Sequence, residues 1–336
     1  MRFDTPHTAS ATMTAESPRP ATAPAPEAPV IACRDLTATI AEYEARGLRL
    51  DMIAPADAPR TALMSGPDGR VHLESSQPAP CRPDWSPDAL VVIRADTATD
   101  APGRAGMHYR DLIPSRMDGR FIVSRISIPE GGPVPDYVHY HRVGFQIIYC
   151  LHGWVRVLYQ DQGPALTMVA GDCVLQPPGI RHRVLEASPG LTVLEVASPA
   201  EHETWRDHTL ELPTAVILPA RTFEGQRFVH SIAATSPWQP GPWPGFEVQE
   251  TGIGAASAGH GEVRRLRSRP PEARTDRLRQ QRVFSLLMSI SGRLTVHGPT
   301  LGEHRLDPGD ACLIPTGAEF SLSAASPSEW LWVEAD

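Results

Sequence analysis

Three histidines, His139, His141 and His182, stand among short alternating segments at spacings that can bring imidazole rings together. In His139-Tyr140-His141 one residue separates the two rings. Strand side chains alternate faces, so both rings project the same way. His182 follows the turn Pro177-Pro178-Gly179 at the head of another strand, which allows it to approach the pair across a barrel interior. Three imidazoles converging in a barrel form a first-row transition-metal site with room for water and substrate. Tyr137, two residues before His139, shares its inward face by period two. It is a candidate to orient substrate or supply a proton, with packing against the barrel wall as the plainer role. Gln146, Ile148 and Cys150 share a face in the next segment, and Cys150 reads as a small buried hydrophobe. Arg142, Arg181 and Arg183 flank the histidines at odd offsets and are expected outside, as is His152 beside Gly153. His202 and His208 lack the H-E-x-x-H spacing and read as part of the barrel's exit segment.

The elements that must position these residues are strands. From Tyr109 to about Thr214, segments such as Phe121–Ile128, Phe145–Leu151, Val155–Tyr159 and Leu191–Val196 are β-branched and divided by Gly and Pro turns. Many short antiparallel strands at close spacing predict a sandwich or small barrel. Within that frame, His139-x-His141-x4-Gln146-x6-Gly153 and Gly171-x5-Pro177-x-Gly179-x2-His182 resemble the two motifs of the cupin superfamily. The resemblance implies a jelly-roll barrel with His139, His141 and His182 in the family's metal-ligand positions. Gln146 stands where the family's usual carboxylate ligand stands, and the resemblance makes it, through its amide oxygen, a candidate fourth metal ligand and catalytic residue. A neutral Gln146 would leave the centre more positive, and so a better Lewis acid for an anionic, chelating substrate. The activity implied is a three-His dioxygenase with Fe(II) favoured. The alternatives are non-redox isomerase or cyclase chemistry on Zn, Ni or Mn, and a non-catalytic small-molecule sensor.

The theme returns in eroded form from about Ala215 to Asp336. Val283–Ile290, Arg293–Val296, Ala311–Ile314 and Glu319–Leu322 read as strands, and Gly309-x5-Pro315-x-Gly317 keeps the turn half of the second motif. Phe320 stands at the last histidine position, and Leu278, Gln280 and Ser285 at the first-motif positions. A second jelly-roll barrel without metal is expected, supporting the first by packing or dimerisation. His297 and His304 are off ligand spacing, and Trp238 and Trp243 are expected on an arm wrapping a neighbouring barrel.

Ahead of both barrels, Val30–Cys33 reads as a strand, and Leu36, Ile40 and Tyr43 fall at helical spacing. Asp35 or Thr37 is the candidate cap and Gly47 the stop. Strands follow at Leu48–Ile53, Arg60–Ser65 and Arg70–Glu74. This β-α-β-β-β order, headed by Asp35-Leu36-Thr37-Ala38-Thr39-Ile40, resembles one half-module of the vicinal oxygen chelate (glyoxalase-like) superfamily. Of that family's ligand-bearing strands, only the last offers candidates, His72 and Glu74. They read as a second metal site or substrate wall or, more plainly, as polar residues of a structural or dimerising module.

All 31 basic residues are arginine, and lysine and asparagine are absent. Without lysine there is no Schiff-base or pyridoxal-phosphate amine and no Walker-type phosphate loop. A net charge of -8 argues against nucleic acid or an anionic membrane as main partner and leaves a small-molecule substrate. Five scattered cysteines with no C-x-x-C pair fit a reducing, cytoplasmic compartment. No apolar run reaches membrane-spanning length, and the Ala- and Pro-rich start lacks the apolar stretch of a secretory signal. The chain is therefore read as mainly β. It divides into a disordered tail (1–28), a glyoxalase-like half-module (29–78), a linker (79–106), a metal-binding barrel (107–214) and a degenerate barrel (215–336), with a homodimer expected.

Overall fold

The computed structural model describes residues 28–96, 100–269 and 273–336. All but the last residue of the expected tail lies outside them. At the front come β1 (Val30–Cys33), α1 (Leu36–Ala45), β2 (Arg49–Ala54), β3 (Thr61–Gly66) and β4 (Gly69–Ser75), in the expected order. Asp35 caps the helix: its Oδ1 accepts the Ala38 backbone N–H at 2.9 Å, satisfying a donor the helix itself cannot. Gly47, at φ +88°, takes the left-handed conformation just past the end. β1 runs parallel to β4, with Val30 opposite His72, and β2, β3 and β4 form an antiparallel meander. Leu36, Ile53, Met64 and Leu73 give this module a small core of its own.

The connector carries β5 (Val91–Ile93) and β6 (Ala101–Pro102). Then follow β7 (His108–Asp111), β8 (Ile122–Ile128), β9 (Gly132–Pro133), β10 (His139–His141), β11 (Phe145–His152), β12 (Trp154–Tyr159) and β13 (Leu166–Val169). β14 (Cys173–Leu175), β15 (His182–Ala187), β16 (Leu191–Ser198) and β17 (Thr204–Arg206) complete the set. One sheet has the order β17-β10-β15-β12-β13, and the facing sheet β14-β11-β16-β8-β7-β6. Val155, Val157, Tyr159, Val174 and Val193 pack between them, as period-two alternation requires. The front module continues the first sheet, because β2 pairs with β17 and sets Met52 opposite Trp205.

The second barrel repeats the plan. Gly261–Ser268, Ser328–Ala335, Phe284–Ser291 and Ala311–Leu313 form one sheet, and Leu294–Gly298, Gly302–Leu306 and Glu319–Ala324 lie in the other. β5 belongs to this barrel, pairing with Ala311–Leu313, so the connector ties the two barrels together. The outward faces of the two barrels meet in a shared core where Val123, Ile147 and Leu194 pack with Leu286, Leu331 and Val333. Phe121 stacks on Phe284 across it, ring centroids 4.5 Å apart. Gly261 has to be glycine, since a Cβ there would lie 2.4 Å from the Phe145 ring. Each large apolar side chain buried here contributes about 1.5–3 kcal/mol, enough in sum to hold the barrels as one body. The expected arm is corrected. Trp243 stacks on Trp332 and Trp238 lies under Arg267, so both pack against this same second barrel.

Candidate metal centre

β10 and β15 are neighbours, and His139 lies directly opposite His182 in their ladder. His182 thus stands beside the pair in one sheet rather than across the interior from it. Ring centroids are 4.1 Å apart for His139–His182 and 5.2 Å for both pairs involving His141. All three side chains are buried, and their ligand-capable atoms lie within 4.8 Å of one another, the one such group among the described residues.

Backbone geometry orients the rings. His139 Nδ1 donates to the Tyr137 carbonyl at 2.8 Å and His182 Nδ1 to the Ile180 carbonyl at 3.1 Å. His141 Nδ1 meets Thr204 Oγ1 at 2.9 Å, a residue that β17 holds opposite it in the ladder. With Nδ1 committed as donor, Nε2 of His139 and His182 keeps its lone pair, the arrangement metal-binding imidazoles adopt. Burial, with the charge of Arg104 and the neighbouring His182, holds His139 well below the usual histidine range. Burial and the surrounding imidazoles do the same to His141, and burial brings His182 down to about 4. Neutral rings are what a metal needs.

Two donors point at these lone pairs. Arg104 Nη2 is 2.8 Å from His139 Nε2, and Gln176 Nε2 is 3.2 Å from His182 Nε2. These donors occupy lone pairs that a metal ion would take, and three neutral imidazole nitrogens within 4.8 Å of one another suit a divalent ion that displaces the two contacts. Arg104 keeps a second anchor in buried Asp136 at 2.6 Å, and Asp136 also accepts the Val184 N–H at 2.9 Å.

Gln146 is buried and tied at both ends. Its Oε1 accepts from Gln176 Nε2 at 2.9 Å, and its Nε2 donates to Glu195 Oε1 at 2.5 Å. Gln176 Oε1 in turn accepts the Tyr159 hydroxyl at 2.9 Å. Glu195 supplies a carboxylate to the pocket from β16, the strand beside Gln146. Burial raises its pKa, against the pull of His202 and the Gln146 amide. The pocket encloses about 100 Å³, with Ile148, Val157 and Val193 among its apolar walls and Ala56 and Asp57 of the β2–β3 loop at its edge.

Tyr137 contributes its carbonyl. Its ring meets His139 edge-on at 5.8 Å and lies under Arg206 at 4.6 Å, outside the pocket walls. Ile148 lines the pocket, whereas Cys150 is packed into the core behind it. His202, expected in the exit segment, lines the pocket with its ring 5.3 Å from His141. His208 instead joins Asp51 of the front module at 3.1 Å. His72 and Glu74 gather no third metal-capable side chain among the described residues. Arg104, Asp136, Gln176, Glu195 and Thr204 escaped the sequence reading.

No protein-family model matches this sequence, and no curated protein matches it. Solved structures do. A mutant of Bacillus subtilis oxalate decarboxylase aligns at TM-score 0.54 and 13% identity, over 75% of this chain and 79% of that one. Salicylate 1,2-dioxygenase from Pseudaminobacter salicylatoxidans aligns at TM-score 0.54 and 14% identity, over 76% of this chain and 86% of that one. The fold is that of a bicupin. Among the described residues, only the first barrel gathers three histidines at one place. At the matching place in the second, Leu278 pairs with Phe320 in the register that His139 and His182 hold in the first.

Proposed function

We propose that this bicupin is a metal-dependent enzyme whose first barrel binds one divalent transition metal through His139, His141 and His182. The reaction favoured is dioxygenation of a small, chelating organic substrate. The observation that carries this reading is the set of three buried, neutral imidazoles with nitrogens within 4.8 Å of one another in an apolar-walled pocket. Fe(II) is the favoured ion, with Zn, Ni or Mn as alternatives; bound there, it would supply Lewis acidity and, as iron, access to oxygen chemistry. The chain's own residues do the rest. Arg104, released from His139, presents a desolvated charge to an anionic donor group while Asp136 keeps it in place. The apolar walls exclude water and strengthen that attraction. Gln146, fixed between Gln176 and Glu195, borders the pocket as a neutral wall. Small acids, the class to which oxalate and salicylate belong, suit both the Arg104 charge and a pocket of about 100 Å³. We further propose that the protein works in a reducing cytoplasm, in keeping with five cysteines that are all unpaired, and as a homodimer.

A second reading rests on Glu195. A buried carboxyl with a raised pKa can hold and return a proton at Oε1, which suits a non-redox isomerisation or cyclisation. One experiment separates the two: metal analysis of the purified protein, then oxygen uptake with small hydroxy-aromatic acids, diketones, catechols and thiols. Stoichiometric oxygen consumption with one class supports the first reading. Turnover without oxygen consumption supports the second.

A further inference from the structure

At the rim of the inter-barrel core lies a group of arginines that the buried pocket does not use. β7 and β8 pair so that Arg110 stands directly opposite Arg125. Directly opposed strand residues share a face with Cβ atoms about 5 Å apart, where like charges repel. The face is the outer one. Val123, two residues before Arg125, is buried between the barrels, whereas Ile126, the next residue, turns into the metal pocket. Arg94, Arg110, Arg125, His152 and, from the second barrel, Ser289 line a cleft of about 500 Å³.

Carboxylates answer two of the three guanidinium groups. Arg94 Nη1 meets Asp310 Oδ2 at 2.7 Å, and Arg110 Nε meets Asp100 Oδ1 at 2.7 Å. Arg125 has no ion-pair partner among the described residues, and its Nε is buried with no acceptor. A chain with 39 acidic residues and 31 basic ones thus leaves a guanidinium edge unpaired where it already faces another. Such an edge presents parallel N–H donors matched to an oxyanion.

We propose that this cleft binds a small oxyanion, the carboxylate or phosphate group of a soluble metabolite, held by Arg125 with support from Arg110. The bound anion meets the Arg125 guanidinium, which no carboxylate among the described residues answers, and relieves the cross-strand repulsion. It also sits where the first barrel meets the second, so binding stiffens their junction. The cleft shares no lining residue with the metal pocket, although both are built on β8.

Calorimetric titration of the full chain at constant ionic strength, with inorganic phosphate in one arm and malonate in the other, tests this. Saturable binding that persists in a His182→Ala background, and so lies outside the metal pocket, is expected in at least one arm, and Arg125→Gln is expected to weaken it at least tenfold. Arg110→Gln should weaken it by a smaller factor, and its melting curve with and without the anion gives an independent reading should Arg125→Gln fold poorly. Equal affinity in wild type and Arg125→Gln would overturn the proposal, as would the absence of saturable binding in both arms. An anion-induced rise in melting temperature undiminished in Arg110→Gln would do the same.

Discussion

The two barrels share one plan and fill it oppositely. In the first, His139 faces His182 across the ladder; in the second, Leu278 faces Phe320. Gln146 of the first donates to Glu195 at 2.5 Å. In the second, Ser285 takes the place of Gln146 and Trp332 that of Glu195, and Trp332 Nε1 donates to Ser285 Oγ at 2.9 Å. Phe320, Trp330 and Trp332 then close the interior with aromatic packing. The jelly roll therefore does not depend on the polar set. Positions that face inward can hold ligands or core, and one register serves both.

That contrast can be broken most forcefully at the Glu195 and Trp332 positions. Trp332→Ala should cost about 3–5 kcal/mol in denaturant unfolding, the usual result of emptying an aromatic core site, while metal content stays the same. Glu195→Gln keeps an acceptor for the Gln146 amide and should stay within about 1 kcal/mol of wild type. Equal losses in the two variants would mean that both barrels rest on the same kind of core.

Acid should separate the barrels next. His182 is pulled down to about 4 in the fold, below the ordinary histidine value. Between those two values the unfolded chain binds more protons than the folded one, so stability rises with pH there. The metal-free protein should thus hold this contribution fully above about pH 6.5 and lose about 3 kcal/mol as pH falls to about 4. His182→Phe, which copies the second barrel, should remove that part of the pH dependence in unfolding measured from pH 7 to 4.

Smaller effects sharpen the comparison. Gln146→Glu adds a carboxyl beside Glu195 and should tighten metal binding by about tenfold, on the order of 1.4 kcal/mol, while weakening binding of an anionic substrate. Unchanged affinities for both would leave Gln146 as a wall residue only. Ser285→Ala removes only the Trp332 acceptor and should cost about 1 kcal/mol with no change in metal content.

Much of this arrangement is legible in the sequence. Period-two alternation and Gly and Pro turns locate the strands around the site within a few residues, and the His-x-His spacing sets two rings on one face. Phe320, at the last histidine position, pairs with Leu278 as part of an apolar interior. Glu195 was within reach: in Leu191-Thr192-Val193-Leu194-Glu195-Val196 it is the lone charge and alternates with Leu191 and Val193, both of which line the pocket. Arg104 was not. It lies in a Pro- and Gly-containing connector with no period, and only tertiary folding brings it to His139 and Asp136. The same limit applies to the connector's β5, three residues whose partner strand lies more than two hundred positions away. The front module's strands were readable, but its seat against β17 and its loop at the pocket edge depend on contacts that local pattern does not encode.

Three imidazoles of the first barrel are proposed to hold the metal, with none in the second. Elemental analysis of the full chain beside His182→Ala and Phe320→His tests this most directly. The account predicts about one transition-metal ion per chain in wild type, most of it lost in a folded His182→Ala protein, and no second ion in Phe320→His, whose new imidazole would face Leu278. Full metal retention in His182→Ala, or two ions per wild-type chain, would contradict it.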